Sequence, residues 1–234
     1  MRARLKEYWV RLLRFGFHLL YNQLAWTYDT VSWLVSFGAW RNWQRAALPY
    51  IQGPYVLEIA HGPGHMLLAL YDAGYQVMGI DLSPQMVALS RKRLKKAGAG
   101  VPLLQGAAQK LPLRSAHFDS VLVTFPTEFL LAPESLSAMN HVLKENGRLI
   151  VVPEAQFTGS SLPQRFIEWL FTVTGQRHQR RPSQKAPAPD QLNSRWDALC
   201  AQFLSAGFQL DVHTITLQQS QVTLLLAQKT SPVH

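Results

Sequence analysis

Residues suited to binding a ribose-containing ligand follow two apolar runs of the chain. The segment EIAHGPG at residues 58–64 overlaps and follows the run YVLEI, and Asp81 ends the next run, QVMGID. Glycines after a strand let the backbone turn tightly and approach a ligand closely. A carboxylate at a strand end can accept hydrogen bonds from both hydroxyls of a ribose. These two positions therefore predict a nucleoside site.

Other ligand chemistries fit the same segments less well. A dinucleotide fingerprint needs a small residue where Leu67 follows the two glycines, and the Lys-Ser/Thr pair of a triphosphate-binding loop is absent. His61 and His65 are four residues apart, but the Gly-Pro-Gly between them argues against a helical metal pair, so we expect no metal ion. The segment QGAAQKLPL at residues 105–113 is placed to border an adenine.

Alternating strands and helices position these segments. The predicted strands are 55–59, 76–80, 101–104, 118–124, 148–152, 208–217 and 221–228, and the predicted helices are 65–73, 84–97, 133–144 and 190–206. The alternation up to residue 152 predicts an α/β fold with an open, mostly parallel sheet covered by helices on both faces. The final two strands are expected to form an antiparallel pair, and Cys200 is expected in the core.

The composition describes a globular but unusually basic chain. Of 234 residues 47% are hydrophobic and 16% are charged, against about 25% charged in an average domain. The 23 Lys and Arg exceed the 14 Asp and Glu by nine, which favours an anionic partner. The single cysteine excludes an intramolecular disulfide.

Basic residues are concentrated in three clusters. They are Arg2, Arg4, Lys6, Arg11 and Arg14; Arg91, Lys92, Arg93, Lys95 and Lys96; and Arg177, Arg180, Arg181 and Lys185. The first cluster lies on a predicted amphipathic helix. Two interpretations of this helix stay open: packing on the domain with its cations in solvent, or lying in an anionic lipid headgroup layer. The second cluster is interpreted as the solvated end of an outer helix, with its five cations covering most of the helix circumference.

Four ordered segments carry a family resemblance that covers about residues 21–155. They are VLEIAHGPGH, GIDLSPQMV, QGAAQKLPLRSAHFDSVLV and LKENGRLIVV. With them the chain resembles the class I S-adenosylmethionine-dependent methyltransferases, in the small-molecule branch that includes the ubiquinone and menaquinone C-methyltransferases. The resemblance implies a Rossmann-like sheet of seven strands, mostly parallel, with an antiparallel last strand. It implies a helical cap at residues 1–50 and a domain at 51–234, with a capping insertion at about 156–189.

The resemblance also implies S-adenosylmethionine as the cofactor and assigns site residues. The implied cofactor contacts are Glu58, Ile59, Ala60, His61, Gly62, Gly64, Asp81, Leu82, Met86, Gly106, Ala107, Ala108, Thr124 and Phe125. Glu58 would orient the loop and the methionine amino group, Asp81 would hold the ribose, and Leu82 with Met86 would flank the adenine. The implied substrate contacts are Tyr21, Trp26, Tyr28, Pro126, Phe166 and Leu170, and the candidate catalytic helpers are Tyr28, His61 and Glu128.

Three positions depart from the family pattern. The usual first glycine of the loop is Ala60, a modest change if the backbone there has a negative φ. Ala107 stands where the family often has Asp, so a side-chain contact to the adenine amine is missing. After strand four, TFPTEF at residues 124–129 replaces the Arg-containing segment of the quinone enzymes.

The predicted function is methyl transfer to a small, hydrophobic or lipid-like acceptor, in the cytoplasm and peripherally at the inner face of the membrane. Two alternatives stay open: a membrane-associated binding protein without catalysis, and an RNA methyltransferase. Nucleic acid is disfavoured because no appended RNA-binding domain is visible. The sequence leaves the oligomeric state open.

Overall fold

The computed structural model describes Ser36, residues 38–158 and residues 189–230. Its helices are α1 (Trp40–Arg45), α2 (His65–Asp72), α3 (Pro84–Lys96), α4 (Pro133–Val142) and α5 (Pro189–Ser205), with short 3-10 turns at Leu48–Tyr50 and Glu128–Leu131. Its strands are β1 (Tyr55–Ile59), β2 (Gln76–Asp81), β3 (Leu103–Gln105), β4 (Phe118–Thr124), β5 (Leu143–Phe157), β6 (Phe208–Leu217) and β7 (Ser220–Lys229).

All seven strands form one sheet in the order β3-β2-β1-β4-β5-β7-β6. The strands from β3 to β5 pair in parallel, whereas β7 runs antiparallel to both β5 and β6. The predicted mostly parallel α/β sheet with its antiparallel final pair is confirmed. The carboxyl ends of β1, β2 and β4 therefore meet at one edge, where ligands of such sheets bind.

Alternate residues of the central strands feed two separate cores. Leu57 and Val121 face a core completed by α4 and α5, while Val56 and Leu122 face a second core completed by α1, α2 and α3. The near-continuous apolar runs that predicted these strands follow from burial on both faces.

Helix α1 lies within the segment predicted as a separate cap. Trp43 is 6% exposed and packs into the second core, and its Nε1 donates to Ser220 Oγ at 2.9 Å. Gln44 Nε2 donates to Thr124 Oγ1 at the same distance. Trp43 and Gln44 therefore pack as part of the domain, because their hydrogen-bond partners lie on β7 and β4.

Three local predictions were wrong. Helix α4 ends at Val142, and β5 already starts at Leu143. The strand predicted at residues 148–152 is thus longer and contains an irregularity, where Asn146 has φ +58° and the register with β4 shifts. Cys200 is exposed rather than in the core.

Candidate functional site

The loop after β1 is built from left-handed backbone. Ala60, Gly62 and Gly64 have φ of +56°, +55° and +79°, and the Ala60 N–H donates to the Ile80 carbonyl at 2.8 Å. The loop is thereby tied to the end of β2, and it leads directly into the first turn of α2. This geometry places the loop at the edge where the strands end.

Ala60 would be a modest replacement for the usual glycine only if its φ were negative, and the structure shows that it is not. Its φ is positive, and a left-handed conformation costs an L-residue with a Cβ about 1–2 kcal/mol. The described chain has four non-glycine residues with positive φ, and two of them, Ala60 and Phe125, follow the adjacent strands β1 and β4. Backbone strain of this kind tends to concentrate at functional sites.

Restoring glycine at position 60 should stabilise the protein. We expect Ala60→Gly to raise the free energy of unfolding by about 0.5–1 kcal/mol, because relief of the left-handed conformation exceeds the added freedom of the unfolded chain. Urea denaturation measures this change. Ala69→Gly, within α2, is the control and should be destabilising; a loss of stability in both variants would contradict the left-handed assignment.

Asp81 links the glycine loop to α3. One carboxylate oxygen accepts the Gly62 N–H and the other accepts the Ser83 N–H, each at 2.8 Å. The side chain is 8% exposed. A carboxylate has about four acceptor positions, so two remain for the hydroxyls of a ribose. The position predicted for Asp81 at the carboxyl edge is the one that the structure shows.

Glu58 is a buried carboxyl without a hydrogen bond. Its side chain is fully buried, and neither carboxyl oxygen has a hydrogen-bond partner among the described residues. Burial raises the pKa of this carboxyl well above its ordinary value, and the negative charge of Asp81 raises it further. Buried polar groups normally have partners, so this orphaned carboxyl fits a ligand that brings its own donors, such as an ammonium group.

His61 is held beneath the loop rather than at the surface. Its ring is 2% exposed. The ring packs against Gly79, because a Cβ added at Gly79 would lie only 2.8 Å from His61 Cδ2. Nδ1 lies 2.7 Å from the Gly62 carbonyl, which can only accept, so Nδ1 carries the proton. Burial lowers the pKa of the ring against the opposing effect of Asp81. His61 is therefore a neutral imidazole that braces the loop.

Helix α3 supports the loop through contacts that the sequence did not reveal. Gly64 packs so closely on Ser90 that a Cβ at Gly64 would lie 2.2 Å from Ser90 Oγ. Arg93 Nη1 donates to the Pro63 carbonyl. Arg93 therefore differs from the rest of its basic cluster, which the sequence assigned to solvent as a whole.

The predicted adenine contacts differ in exposure. Leu82 is 68% exposed directly after Asp81, whereas Met86 is fully buried. Gly106 donates its N–H to the Asp81 carbonyl at 3.0 Å, which holds residues 106–108 beside the end of β2. Ala107 is half-buried and Ala108 is buried. Among these residues Leu82 offers the largest apolar surface.

An aromatic cluster borders the end of β4. Phe125 stacks on Trp40 with ring centroids 4.1 Å apart and meets Trp43 edge-on, and Trp43 in turn contacts Phe157. The Phe125 N–H donates to the Val152 carbonyl at 2.7 Å. Thr124, whose hydroxyl accepts from Gln44, is 6% exposed. The sequence placed Thr124 and Phe125 at the site but missed Trp40 and Trp43 as their partners.

Several predicted site residues lie outside the described residues. They are Tyr21, Trp26, Tyr28, Phe166 and Leu170. Their roles, the amphipathic helix at the N-terminus and the capping insertion stay predictions. Of the remaining candidates, Pro126 is half-buried and Glu128 is exposed at the start of a 3-10 turn. Within the described ranges, no group of three metal-ligating side chains occurs, and no helix there has the length and apolarity to cross a membrane.

Comparison with known proteins places these residues in a family context. Residues 57–151 match the family model described as a methyltransferase domain. A demethylmenaquinone methyltransferase of Thermus thermophilus is 32% identical over 57% of this chain and 63% of its own. A ubiquinone/menaquinone biosynthesis C-methyltransferase of Syntrophotalea carbinolica is 32% identical over 61% of this chain and 63% of its own. This chain thus spans less than two thirds of the length of these relatives.

Solved structures share the fold. A protein of Methanococcus maripaludis assigned to the S-adenosyl-L-methionine-dependent methyltransferases has a TM-score of 0.61 at 13% identity, covering 91% of this chain and 95% of that one. A SAM-dependent methyltransferase of Aquifex aeolicus has a TM-score of 0.54 at 18% identity, covering 79% and 88%. The predicted resemblance, fold class and cofactor class are confirmed.

Proposed function

We propose that this chain transfers a methyl group from S-adenosylmethionine to a small, hydrophobic, quinone-like acceptor. Its residues 57–151 match a methyltransferase domain. The observation that carries the proposal is the buried, unpartnered carboxyl of Glu58 beside a left-handed glycine loop. An ammonium group would satisfy that carboxyl, and the cofactor combines an ammonium with a ribose.

The described residues supply the cofactor half of the site. Glu58 would receive the ammonium, Asp81 would use its two remaining acceptor positions for the ribose hydroxyls, and Leu82 would cover one face of the adenine. When bound, S-adenosylmethionine supplies a methyl group already activated on a positively charged sulfur. The protein's contribution is then chiefly proximity and orientation, which can account for much of the acceleration in such reactions.

The acceptor half is supported by the aromatic cluster at the end of β4. Trp40 and Phe125 present stacked rings at the edge where the cofactor would bind. Flat apolar rings favour offset stacking on aromatic side chains. The curated relatives named above act on quinone precursors by their names. A ring-containing apolar acceptor therefore fits both observations better than a polar one.

Two described side chains, His61 and Glu128, are the candidates for removing a proton from the acceptor. His61 is buried, with Nδ1 committed to the Gly62 carbonyl, and Glu128 is exposed to solvent. His61 Nε2 has a free lone pair, because it is buried without a hydrogen-bond partner among the described residues, whereas Glu128 lacks a shielded position. A general base is required only where the methylated atom must lose a proton.

The test is methyl transfer from labelled S-adenosylmethionine to a panel of demethylated quinones, lipids and RNA. We expect a methylated quinone-like product.

Asp81→Ala should weaken cofactor affinity by about 1.5–3 kcal/mol, because it removes a charged hydrogen-bonding group. Titration calorimetry measures this loss, with Asp72→Ala on the exposed end of α2 as the control.

The outcomes separate the alternatives. Cofactor binding without transfer to any acceptor would favour a binding protein, and transfer confined to RNA would favour an RNA methyltransferase. An affinity unchanged by Asp81→Ala would remove Asp81 from the cofactor site.

A further inference from the structure

The strongest unassigned feature is the outer face of α3. Arg91, Lys92, Lys95 and Lys96 are all exposed. At about 100° per residue these four positions span about 140° of the helix, opposite the buried Ser90 and Leu94. The basic cluster therefore forms one directed surface, called here the cationic face and defined by those four residues, instead of encircling the helix.

This face has no internal counter-charge. Residues 82–118 contain seven Lys and Arg and no Asp or Glu. The ion pairs found elsewhere in the described chain join Lys144 to Asp119 and Lys229 to Glu145, and none of the four cations of the face pairs with a described carboxylate. Uncompensated clusters of this kind attract an anionic partner.

A hollow beside the cationic face indicates the kind of anion. It has a volume of about 500 Å³ and lies between the second half of α3 and the edge strand β3. Its lining includes the cations Arg91 and Lys95 and the aliphatic residues Leu94, Ala99, Val101 and Leu103. The lining contains no aromatic ring, although proteins that bind single-stranded nucleic acid stack bases on such rings. Cations beside an aliphatic lining suit an amphiphilic anion, which carries both a negative charge and apolar carbons.

We propose that the cationic face and this hollow bind the surface of an anionic phospholipid bilayer. A lipid phosphate would lie between Arg91 and Lys95, with the glycerol and upper acyl carbons on the aliphatic lining. This proposal goes beyond methyl transfer and does not depend on it. Because α3 runs back from the carboxyl end of β2, its cationic half lies toward the amino ends of the strands. A bilayer bound there leaves the cofactor edge uncovered.

Two matched double variants of the full chain test the proposal. Arg91→Gln/Lys95→Gln removes two charges from the cationic face. Lys110→Gln/Arg114→Gln removes two exposed charges from the opposite side, where Leu111 and Leu113 pack on the other core. Both change the net charge equally and both keep the basic N-terminal segment. All four side chains are exposed, so thermal stability should stay unchanged in both variants, and cofactor affinity should stay unchanged in the α3 double variant.

The measurement is co-sedimentation with vesicles of phosphatidylcholine, with and without phosphatidylglycerol. We expect the wild type to bind only the anionic vesicles and to dissociate as salt is added. A cation near an anionic bilayer strengthens binding by about fivefold, so the α3 double variant should bind about 20-fold more weakly, and the control variant less than about threefold.

Three outcomes would overturn the proposal. The first is that the wild type does not bind anionic vesicles. The second is that both double variants lose affinity equally, which would indicate an effect of net charge alone. In the third, the α3 variant would keep its vesicle affinity but lose affinity for an RNA oligonucleotide, which would assign the face to nucleic acid.

Discussion

Glutamine in place of Glu58 is expected to weaken the affinity for S-adenosylmethionine by about 2–4 kcal/mol, or about 30- to 800-fold. The same substitution is expected to stabilise the cofactor-free protein at neutral pH by about 1–2 kcal/mol. The opposite signs have one cause. A buried carboxyl without a partner destabilises the free protein, and the ligand's ammonium would give that carboxyl a charged partner.

The raised pKa of Glu58 determines how stability and cofactor affinity change with pH. The folded protein raises the pKa of Glu58 well above 4.5, so the folded state binds the proton more tightly than the unfolded chain. Stability from this group is complete below its unfolded pKa and is lost as the pH rises through the folded pKa. Cofactor affinity moves the other way, because the ionised carboxylate binds the ammonium. Glu58→Gln should remove both trends.

Calorimetric titrations and urea denaturation across a pH series measure the two trends together. Glu154→Gln is the matched control, since it makes the same change at an exposed position of β5 and should leave both curves unchanged. A Glu58→Gln protein with wild-type cofactor affinity at every pH would show that the carboxyl does not face the ligand.

Local patterns predicted the strands because burial on both faces leaves a strong local signal. β1, β4 and β6 have the predicted bounds, and Asp81 lies at the end of β2 as its apolar run indicated. The positions of the Asp81 carboxylate and of the glycine loop were therefore predictable. Their positions depend on strand direction, and the alternation of strands and helices predicts parallel strands whose carboxyl ends meet at one edge.

The remaining features depend on contacts between residues far apart in the chain. Trp43 belongs to the domain because of Ser220, and Gln44 because of Thr124; neither partner can be read from the Trp-rich segment itself. The left-handed Phe125 is held by β5 and Trp40, and no local rule assigns positive φ to phenylalanine. Arg93 looks like its basic neighbours until Pro63 is seen beside it.

Alanine at Gly64 is expected to destabilise the protein by about 2–5 kcal/mol. Two effects add: the left-handed φ of +79° costs a residue with a Cβ about 1–2 kcal/mol, and the new Cβ would lie 2.2 Å from Ser90 Oγ and 3.2 Å from Ser90 Cα. Overpacking of this kind typically costs about 1–3 kcal/mol. Urea denaturation, followed by circular dichroism, measures the sum.

Gly62→Ala separates the two effects. Gly62 has φ +55°, and no atom lies within 4 Å of its added Cβ, so only the backbone cost of about 1–2 kcal/mol should appear. Ser90→Gly in the Gly64→Ala background removes the two nearest atoms and should recover most of the packing cost, which keeps the test informative if Gly64→Ala alone does not fold. Equal losses at Gly62 and Gly64 would mean that α3 does not press on the loop. The close packing of α3 would then not explain why the loop stays in place beside Asp81.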